Sequence, residues 1–251
     1  MKTARPNLGP LTAKIVGAAG WASSNAKCPP CQQWADEFER VFSYADYRGQ
    51  FANYFNRLTS KSYSQFDSSL AELRVAYHLD RTGFPIVTWE PIPKSGNAGE
   101  FIVACPSGEN VFVEVKSPGW ESELESHELK AGRATQEKYR DNEGRWVAPH
   151  AAIQFGIRKA YKKFDSASRN LLVIADDLFL RLETSPETFA QAALYRAGGY
   201  FANSAYENLG GIGVFWVDQT TVPLGYKMKF FLNRNALSTA AIPEGMVVRL
   251  H

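Results

Sequence analysis

The segment Val111–Pro118, with the sequence VFVEVKSP, is an apolar strand that carries an acid and a base two residues apart. Side chains alternate between the two faces of a β-strand, so its three valines share one face while Glu114 and Lys116 share the other. Burying charged side chains is costly unless they pair with one another or bind a metal ion. An acid and a base on one face of an apolar strand therefore indicate a functional site. A solvent-exposed ion pair is the alternative.

The composition fits one large domain, or a domain with a helical extension. The chain has 251 residues, of which 45% are hydrophobic and 22% charged, as is typical of a soluble globular protein. Its net charge is only +2, but residues 128–169 contain ten Lys or Arg and five Asp or Glu. Such a basic segment can bind phosphates, although a solvated helix face is the commoner explanation.

No apolar run approaches the ~18 residues that a membrane-spanning helix requires. We therefore expect a cytoplasmic protein that makes no membrane contact. Secretion stays open as a second possibility, because residues 15–22 resemble the apolar core of a short signal peptide.

The three cysteines leave several possibilities open. Cys28 and Cys31 form a CPPC motif, and Cys105 is isolated. A structural zinc site needs four ligands, and the sequence contains no second CxxC and no HxxxH. Ordinary thiols or a disulfide in a proline turn are the simpler explanations. An odd number of cysteines favours a reducing compartment.

Hydrophobic periodicity divides the chain into an N-terminal part, residues 1–60, and an α/β part, residues 61–251. Residues 1–30 are rich in Pro, Gly, Ala and Ser, which predicts an irregular arm. Residues 32–58 predict aromatic-rich helices with a break at Gly49. The helical spacing of these aromatic side chains favours core packing over base stacking.

Helices and apolar strands alternate through the second part. We predict helices over residues 67–82, 120–145, 150–164 and 186–201, and strands over residues 85–93, 99–105, 111–117, 170–177, 210–218 and 226–233. Asp67 or Ser68 is expected to cap the first of these helices. The order predicts an α/β fold with a mixed central β-sheet flanked by helices.

A hairpin is predicted to join the strands at 99–105 and 111–117. With its turn centred near Gly108, Glu100 would lie opposite Lys116. Glu72, on the preceding helix, would lie at the rim of the core. Carboxylates gathered around one point suit Mg²⁺ or Mn²⁺, because magnesium takes few protein carboxylates and keeps waters for the substrate. A lysine beside them can position the attacking water or stabilise the transition state.

These residues resemble a known family. Glu72 in a helix, AGEF at 98–101, a strand and turn, and EVK at 114–116 are similar to the motif of the PD-(D/E)xK nuclease superfamily, which has the restriction-endonuclease-like fold. The resemblance covers roughly residues 67–235. Gly99 stands where the family has proline, and Glu100 where it has aspartate, and both are departures from the family pattern.

The resemblance implies a metal-dependent endonuclease that hydrolyses DNA phosphodiester bonds. Glu100 and Glu114 would bind Mg²⁺ or Mn²⁺, Lys116 would assist the attacking water and Glu72 would support the site. The basic face of the helix over 150–164 would bind nucleic acid through Arg158, Lys159, Lys162 and Lys163. A homodimer is compatible with this function.

Two alternatives stay open. One is a catalytically inactive nucleic-acid-binding or protein-interaction module on the same fold. The other is an unrelated α/β protein in which Glu114 and Lys116 lie on the surface and have no functional role.

Overall fold

The computed structural model of the chain describes residues 5–19, 29, 31–60, 63–92, 98–117, 150–175, 186–245 and 247–249. The helix predicted over 120–145 and Cys28 of the CPPC motif lie outside these residues. Cys31 and Cys105 are both free thiols, the first exposed and the second buried.

Those predicted helices and strands that lie within the described residues follow one another in the predicted order. The helices are α1 (Pro10–Ala18), α2 (Gln32–Tyr47), α3 (Phe51–Leu58), α4 (Tyr63–Arg81), α5 (His150–Tyr161) and α6 (Pro186–Phe189), which continues with π-type hydrogen bonding over Ala190–Tyr195. A short 3₁₀ turn covers Ser204–Tyr206. The strands are β1 (Ile86–Trp89), β2 (Phe101–Ala104), β3 (Asn110–Lys116), β4 (Asn170–Ala175), β5 (Gly211–Asp218), β6 (Gly225–Leu232) and β7 (Val247–Arg249).

The strands form one mixed sheet in the order β1-β2-β3-β4-β5-β6-β7. Strands β3, β4 and β5 run parallel, and the other neighbouring pairs run antiparallel. The predicted α/β fold, a mixed central sheet flanked by helices, is confirmed. Strand β7, which pairs with β6, was not predicted from the sequence.

The two faces of the sheet bury different side chains. On β3, Val111, Val113 and Val115 belong to the larger core, which α1 to α4 cover. Phe112 belongs to the smaller core, together with Ile157 of α5 and residues of α6. This alternation places Glu114 and Lys116 on the α5 side of the sheet, and the sequence predicted that these two side chains share the face opposite the valines.

The N-terminal helices share the larger core with the sheet. Their aromatic side chains are mostly buried, as core packing predicted: Phe38, Phe42, Tyr44, Phe51 and Tyr54. Trp34 and Phe55 are partly buried against the same core, and Tyr47 is 85% exposed. The boundary at residue 60 therefore does not separate two hydrophobic cores.

Helix α1 corrects the prediction of an irregular arm over residues 1–30. The Glu39 carboxylate of α2 accepts hydrogen bonds from the backbone N–H of Leu11 (3.2 Å) and of Thr12 (2.9 Å), and from the Thr12 hydroxyl (2.9 Å). Pro10 stands at the start of the helix, where its missing N–H costs nothing. The side chain that satisfies this helix end comes from another helix, so local composition did not predict it.

Helix α4 begins earlier than predicted, and neither Asp67 nor Ser68 caps it. The extra turn buries Phe66, whose ring contacts that of Phe38. Asp67 instead accepts a hydrogen bond from the hydroxyl of Ser117, just beyond the end of β3 (2.8 Å). This contact ties the first half of α4 to the carboxyl end of β3.

The helix predicted over 186–201 is shorter than expected. Its π-type segment ends at Tyr195, and Arg196 is already extended. Gly198 follows with a φ of +76°, a conformation that ends helices. In the described part of the chain, no helix is long and apolar enough to cross a membrane.

Candidate functional site

The β2–β3 ladder has a different register from the one predicted. Phe101 pairs with Val113 and Ala104 with Asn110, and the N–H of Cys105 donates to the carbonyl of Glu109 (2.8 Å). The turn is thus centred one residue earlier than Gly108, which shifts every pair by two residues. The placement of Glu100 opposite Lys116 was therefore wrong, because the ladder brings Glu100 opposite Glu114.

A shift of two residues preserves the face to which each side chain points. Glu100 precedes Phe101, which lies in the larger core, so Glu100 points with Glu114 and Lys116 to the other face. The two carboxylates consequently lie side by side at the carboxyl end of β3. Glu100, Glu114 and Lys116 therefore do gather at one end of the hairpin, as predicted, but Glu100 pairs with Glu114 and not with Lys116.

Lys116 lies between the two carboxylates. Its Nζ contacts Oε1 of Glu114 and lies 3.9 Å from Oε1 of Glu100. It also donates to the backbone carbonyl of the preceding residue, Val115 (3.0 Å). The Glu114 side chain is fully buried, and those of Glu100 and Lys116 are 12% and 18% exposed. A solvated surface ion pair does not describe this arrangement.

Lys163 is a second ammonium at the same carboxylates. Its Nζ lies 2.7 Å from Oε1 of Glu114 and 3.7 Å from Oε1 of Glu100. Helix α5 ends at Tyr161, and a tight turn in which the Lys163 N–H donates to the Ala160 carbonyl (2.9 Å) directs this side chain toward the sheet. Lys163 therefore does not share the exposed face of Arg158, Lys159 and Lys162 with which it was predicted.

Glu72 reaches the site from α4, on the opposite side of the sheet. Its Oε1 accepts from Nη2 of Arg57 at 2.5 Å, and its side chain is only 6% exposed. Arg57 and the buried Tyr54 both come from α3. The positive charge of Lys116 also acts on Glu72. Within the described residues, the ion pair of Glu72 is with Arg57, so this carboxylate borders the Glu100–Glu114 pair without joining its contacts.

Burial and neighbouring charges shift the pKa values of Glu100 and Glu72. Burial, followed by the negative charges of Glu72 and Glu114, raises the pKa of Glu100 to about 8, although Lys116 and Lys163 oppose this shift. Burial also raises the pKa of Glu72, against the lowering by Arg57. Such a cluster is stabilised by any cation that neutralises it.

Two buried carboxylate oxygens near the site lack hydrogen-bond donors within the described part of the chain. Among the described side chains, Oε2 of Glu114 and Oε2 of Glu72 are buried and have no hydrogen-bond partner. No group of three or more His, Cys, Asp or Glu side chains in the described ranges could by itself hold a metal ion. Magnesium often takes only one or two protein carboxylates and completes its shell with waters and substrate phosphates. Glu100 and Glu114 fit that requirement.

Sequence reasoning missed three contributions to the site. Arg57 and Tyr54 lie in a segment interpreted only as aromatic-rich packing helices, and no motif marks them. Lys163 was predicted to bind nucleic acid from the basic face that it would share with Arg158, Lys159 and Lys162, because the helical pattern was extended to Phe164. No local pattern marks Lys163, because the turn after Tyr161 takes its side chain off the exposed face that carries Lys159.

The chain was compared with protein-family models, with curated proteins and with solved structures, and none of the three comparisons found a match.

Proposed function

We propose that this chain is a metal-dependent nuclease that hydrolyses DNA phosphodiester bonds. One observation carries the proposal: Glu100 and the fully buried Glu114 lie side by side with Lys116, at the carboxyl end of β3. The resemblance of these residues to the PD-(D/E)xK motif supports the same function. A purely structural role would not require three buried or nearly buried acids beside one another.

Glu100 and Glu114 would hold Mg²⁺ or Mn²⁺ through their side-chain oxygens. When bound, such an ion lowers the pKa of a coordinated water and stabilises the charge that develops on the phosphodiester. Lys116 lies at both carboxylates and is still 18% exposed, so its ammonium can hold and orient the attacking water. Glu72, buried next to this cluster, maintains the negative potential that attracts the cation.

Lys163 adds positive charge on the side of the site that α5 covers. A backbone phosphate entering the site can accept hydrogen bonds from Lys163 as well as Lys116. Arg158, Lys159 and Lys162 lie exposed nearby in the chain and would contact phosphates farther along the DNA. Such contacts predict binding that weakens steeply as salt is raised.

The test is a cleavage assay on plasmid, linear and single-stranded DNA, with and without Mg²⁺ or Mn²⁺. Lys116→Ala should lose activity by about 100-fold or more, as expected when a transition-state-stabilising donor is removed. Lys14→Ala is the control, because Lys14 is an exposed lysine of α1 to which the proposal gives no role. The control should retain the cleavage rate within a few fold.

Equal metal-dependent cutting by wild type and Lys116→Ala would assign the activity to a contaminant. Absence of cutting by wild type under all metal conditions would contradict the nuclease proposal. Cutting that is lost in Lys116→Ala and retained in Lys14→Ala would support it.

A second candidate is a catalytically inactive module that binds nucleic acid or a protein. The observation that favours it is the pairing of two ammonium groups, from Lys116 and Lys163, with Glu114, which neutralises the cluster without a metal. Salt-sensitive DNA binding that needs no divalent ion, without cleavage, would favour this candidate. A homodimer and a cytoplasmic location stay predictions under either function.

A further inference from the structure

Arg57 connects the N-terminal helices with the candidate site. It lies in the last turn of α3, and its Nη2 donates to Oε1 of Glu72 at 2.5 Å. The Glu72 side chain is 6% exposed, whereas the Arg57 side chain is 37% exposed. One edge of the guanidinium therefore meets a buried carboxylate, and another part of the group faces solvent.

The guanidinium of Arg57 is fixed by its contacts with Glu72 and Tyr54, yet most of its N–H groups have no partner within the described residues. Its central carbon lies 5.0 Å from the centre of the Tyr54 ring, within the range of a cation–π contact. Arginine has five N–H donors, and only the one directed at Glu72 has a hydrogen-bond partner within the described residues. A fixed guanidinium with unused donors loses little conformational entropy when it binds a second anion.

Arg57 also lies within the electrostatic influence of Glu100. Partial burial lowers the pKa of Arg57, but the charge and hydrogen bond of Glu72, and more weakly the charge of Glu100, raise it above its ordinary value. The guanidinium contacts Glu72 directly. Tyr54, one turn earlier on α3, packs its ring against that of Trp89 (6.3 Å between centroids), which in turn packs against Phe101, the residue after Glu100 (5.8 Å). An anion bound by Arg57 would therefore lie at the border of the site that Glu100 and Glu114 form.

We propose that Arg57 binds a phosphate of the DNA backbone at the border of the catalytic site. The planar fork of arginine matches two phosphate oxygens, and Glu72 and Tyr54 hold that fork in position. The inference rests on the proposed function, because it takes a phosphodiester as the substrate. It gives residues 1–60 a role in substrate binding, since α3 supplies Arg57.

The test measures binding of fluorescently labelled DNA across a salt series, in buffer with Ca²⁺, with cleavage followed separately in Mg²⁺. Arg57→Lys keeps the charge beside Glu72 but loses the fork, and should weaken binding about tenfold. The double variant Arg57→Gln with Glu72→Gln exchanges the ion pair for neutral amides. It should lower the slope of log affinity against log salt by about one, the contribution of one phosphate contact.

The matched control is Arg48→Lys. Arg48 also comes from the N-terminal part and pairs with a carboxylate of α4, Asp80, at 2.9 Å. It donates a further bond to the Ile86 carbonyl (2.7 Å). Asp80 lies eight residues after Glu72 on α4, about 12 Å along the helix axis. Arg48→Lys should therefore leave DNA affinity and its salt slope unchanged, whatever it does to stability.

The outcomes separate this inference from the proposed function. If wild type cuts DNA and Arg57→Lys binds with wild-type affinity, Arg57 is only the counter-ion of Glu72 and the inference fails alone. If wild type binds without cutting and Arg57→Lys binds more weakly, the phosphate contact stands while the catalytic proposal falls. If wild type neither binds nor cuts DNA, both are overturned. Circular dichroism and thermal unfolding of each variant identify any loss of binding that comes from misfolding.

Discussion

Nζ of Lys163 lies 2.7 Å from Oε1 of Glu114, the same oxygen that Lys116 contacts. The two lysines come from different elements, one from the end of β3 and the other from the turn after α5. A single buried carboxylate oxygen is thus approached by two cations. A divalent ion that binds Glu114 must compete with them.

This competition predicts that removal of Lys163 strengthens metal binding in the absence of DNA. Lys163→Met removes one of the two ammonium groups at the carboxylates and retains much of the side-chain volume. We expect Mn²⁺ to bind about tenfold more tightly, equivalent to about 1.4 kcal/mol. Isothermal titration calorimetry with Mn²⁺ alone measures this change.

Lys162→Met provides the control for Lys163→Met. Lys162 is exposed and makes no contact with Glu100 or Glu114 among the described interactions, so its removal changes only the distant charge. Indistinguishable Mn²⁺ affinities for Lys163→Met, Lys162→Met and wild type would mean that Lys163 does not oppose the metal.

The raised pKa of Glu100, about 8, predicts a specific pH dependence of stability without metal. The folded state holds this proton more tightly than the unfolded chain does, so stability is fully present below the unfolded pKa of about 4.5 and falls as pH rises toward 8. The slope for one proton is at most about 1.4 kcal/mol per pH unit. Glu100→Gln should reduce it.

Chemical denaturation in EDTA between pH 5 and 8.5 measures this slope. Part of the pH dependence of the free energy of unfolding should remain in Glu100→Gln, because burial also raises the pKa of Glu72. If wild type and Glu100→Gln lose stability with pH at the same rate, Glu100 is not the titrating group.

Gly99 has a steric reason to be glycine. A Cβ at this position would lie 2.2 Å from Cζ of Phe112, whose ring is buried in the smaller core. The backbone N–H of Gly99 also donates to the Pro91 carbonyl (2.8 Å), a bond that a proline at position 99 could not make. Gly99→Ala should therefore cost about 1–3 kcal/mol, the usual cost of overpacking, and should displace the adjacent Glu100.

Phe112→Leu should recover part of this loss when combined with Gly99→Ala, since leucine does not reach as far as the ring. A double-mutant cycle based on urea denaturation gives the coupling between the two positions. Gly17→Ala is the control, because a Cβ there meets nothing within 4 Å and alanine favours the helix. Additive effects of Gly99→Ala and Phe112→Leu would contradict the steric explanation.

The N-terminal helices should be essential for stability because of one buried ion pair. Glu37 of α2 accepts from Nε (2.9 Å) and Nη2 (2.8 Å) of Arg74 on α4, and also from the hydroxyl of Tyr226 on β6. Glu37 and Arg74 are 1% and 3% exposed. Glu37→Ala would remove the buried carboxylate that accepts from two donors of the Arg74 guanidinium and from the Tyr226 hydroxyl, at a cost of about 3–5 kcal/mol.

Thermal and urea unfolding measure the loss in Glu37→Ala. Asp36→Ala, one residue away on the exposed side of α2, should change stability by no more than about 0.5 kcal/mol. A similarly small effect of Glu37→Ala would show that the N-terminal helices contribute little to the stability of the sheet.

Much of the fold was predictable because it depends on short-range patterns. The alternation in VFVEVKSP placed Glu114 and Lys116 on one face, and the apolar run of β4 predicted a strand buried on both sides. Helix α1 was not predictable in this way. The carboxylate that caps it, that of Glu39, lies on another helix.

Within the candidate site, the sequence by itself determined which residues are acidic or basic and which face of β3 carries Glu114 and Lys116. Those properties follow from side-chain chemistry and from the two-residue repeat of a strand. Only the tertiary structure decided that Glu100 faces Glu114, and that Lys163 and Arg57 reach the same cluster. The length of one hairpin loop, the turn after α5 and the packing of α3 against α4 set those distances. They depend on contacts between distant parts of the chain, which no local pattern encodes.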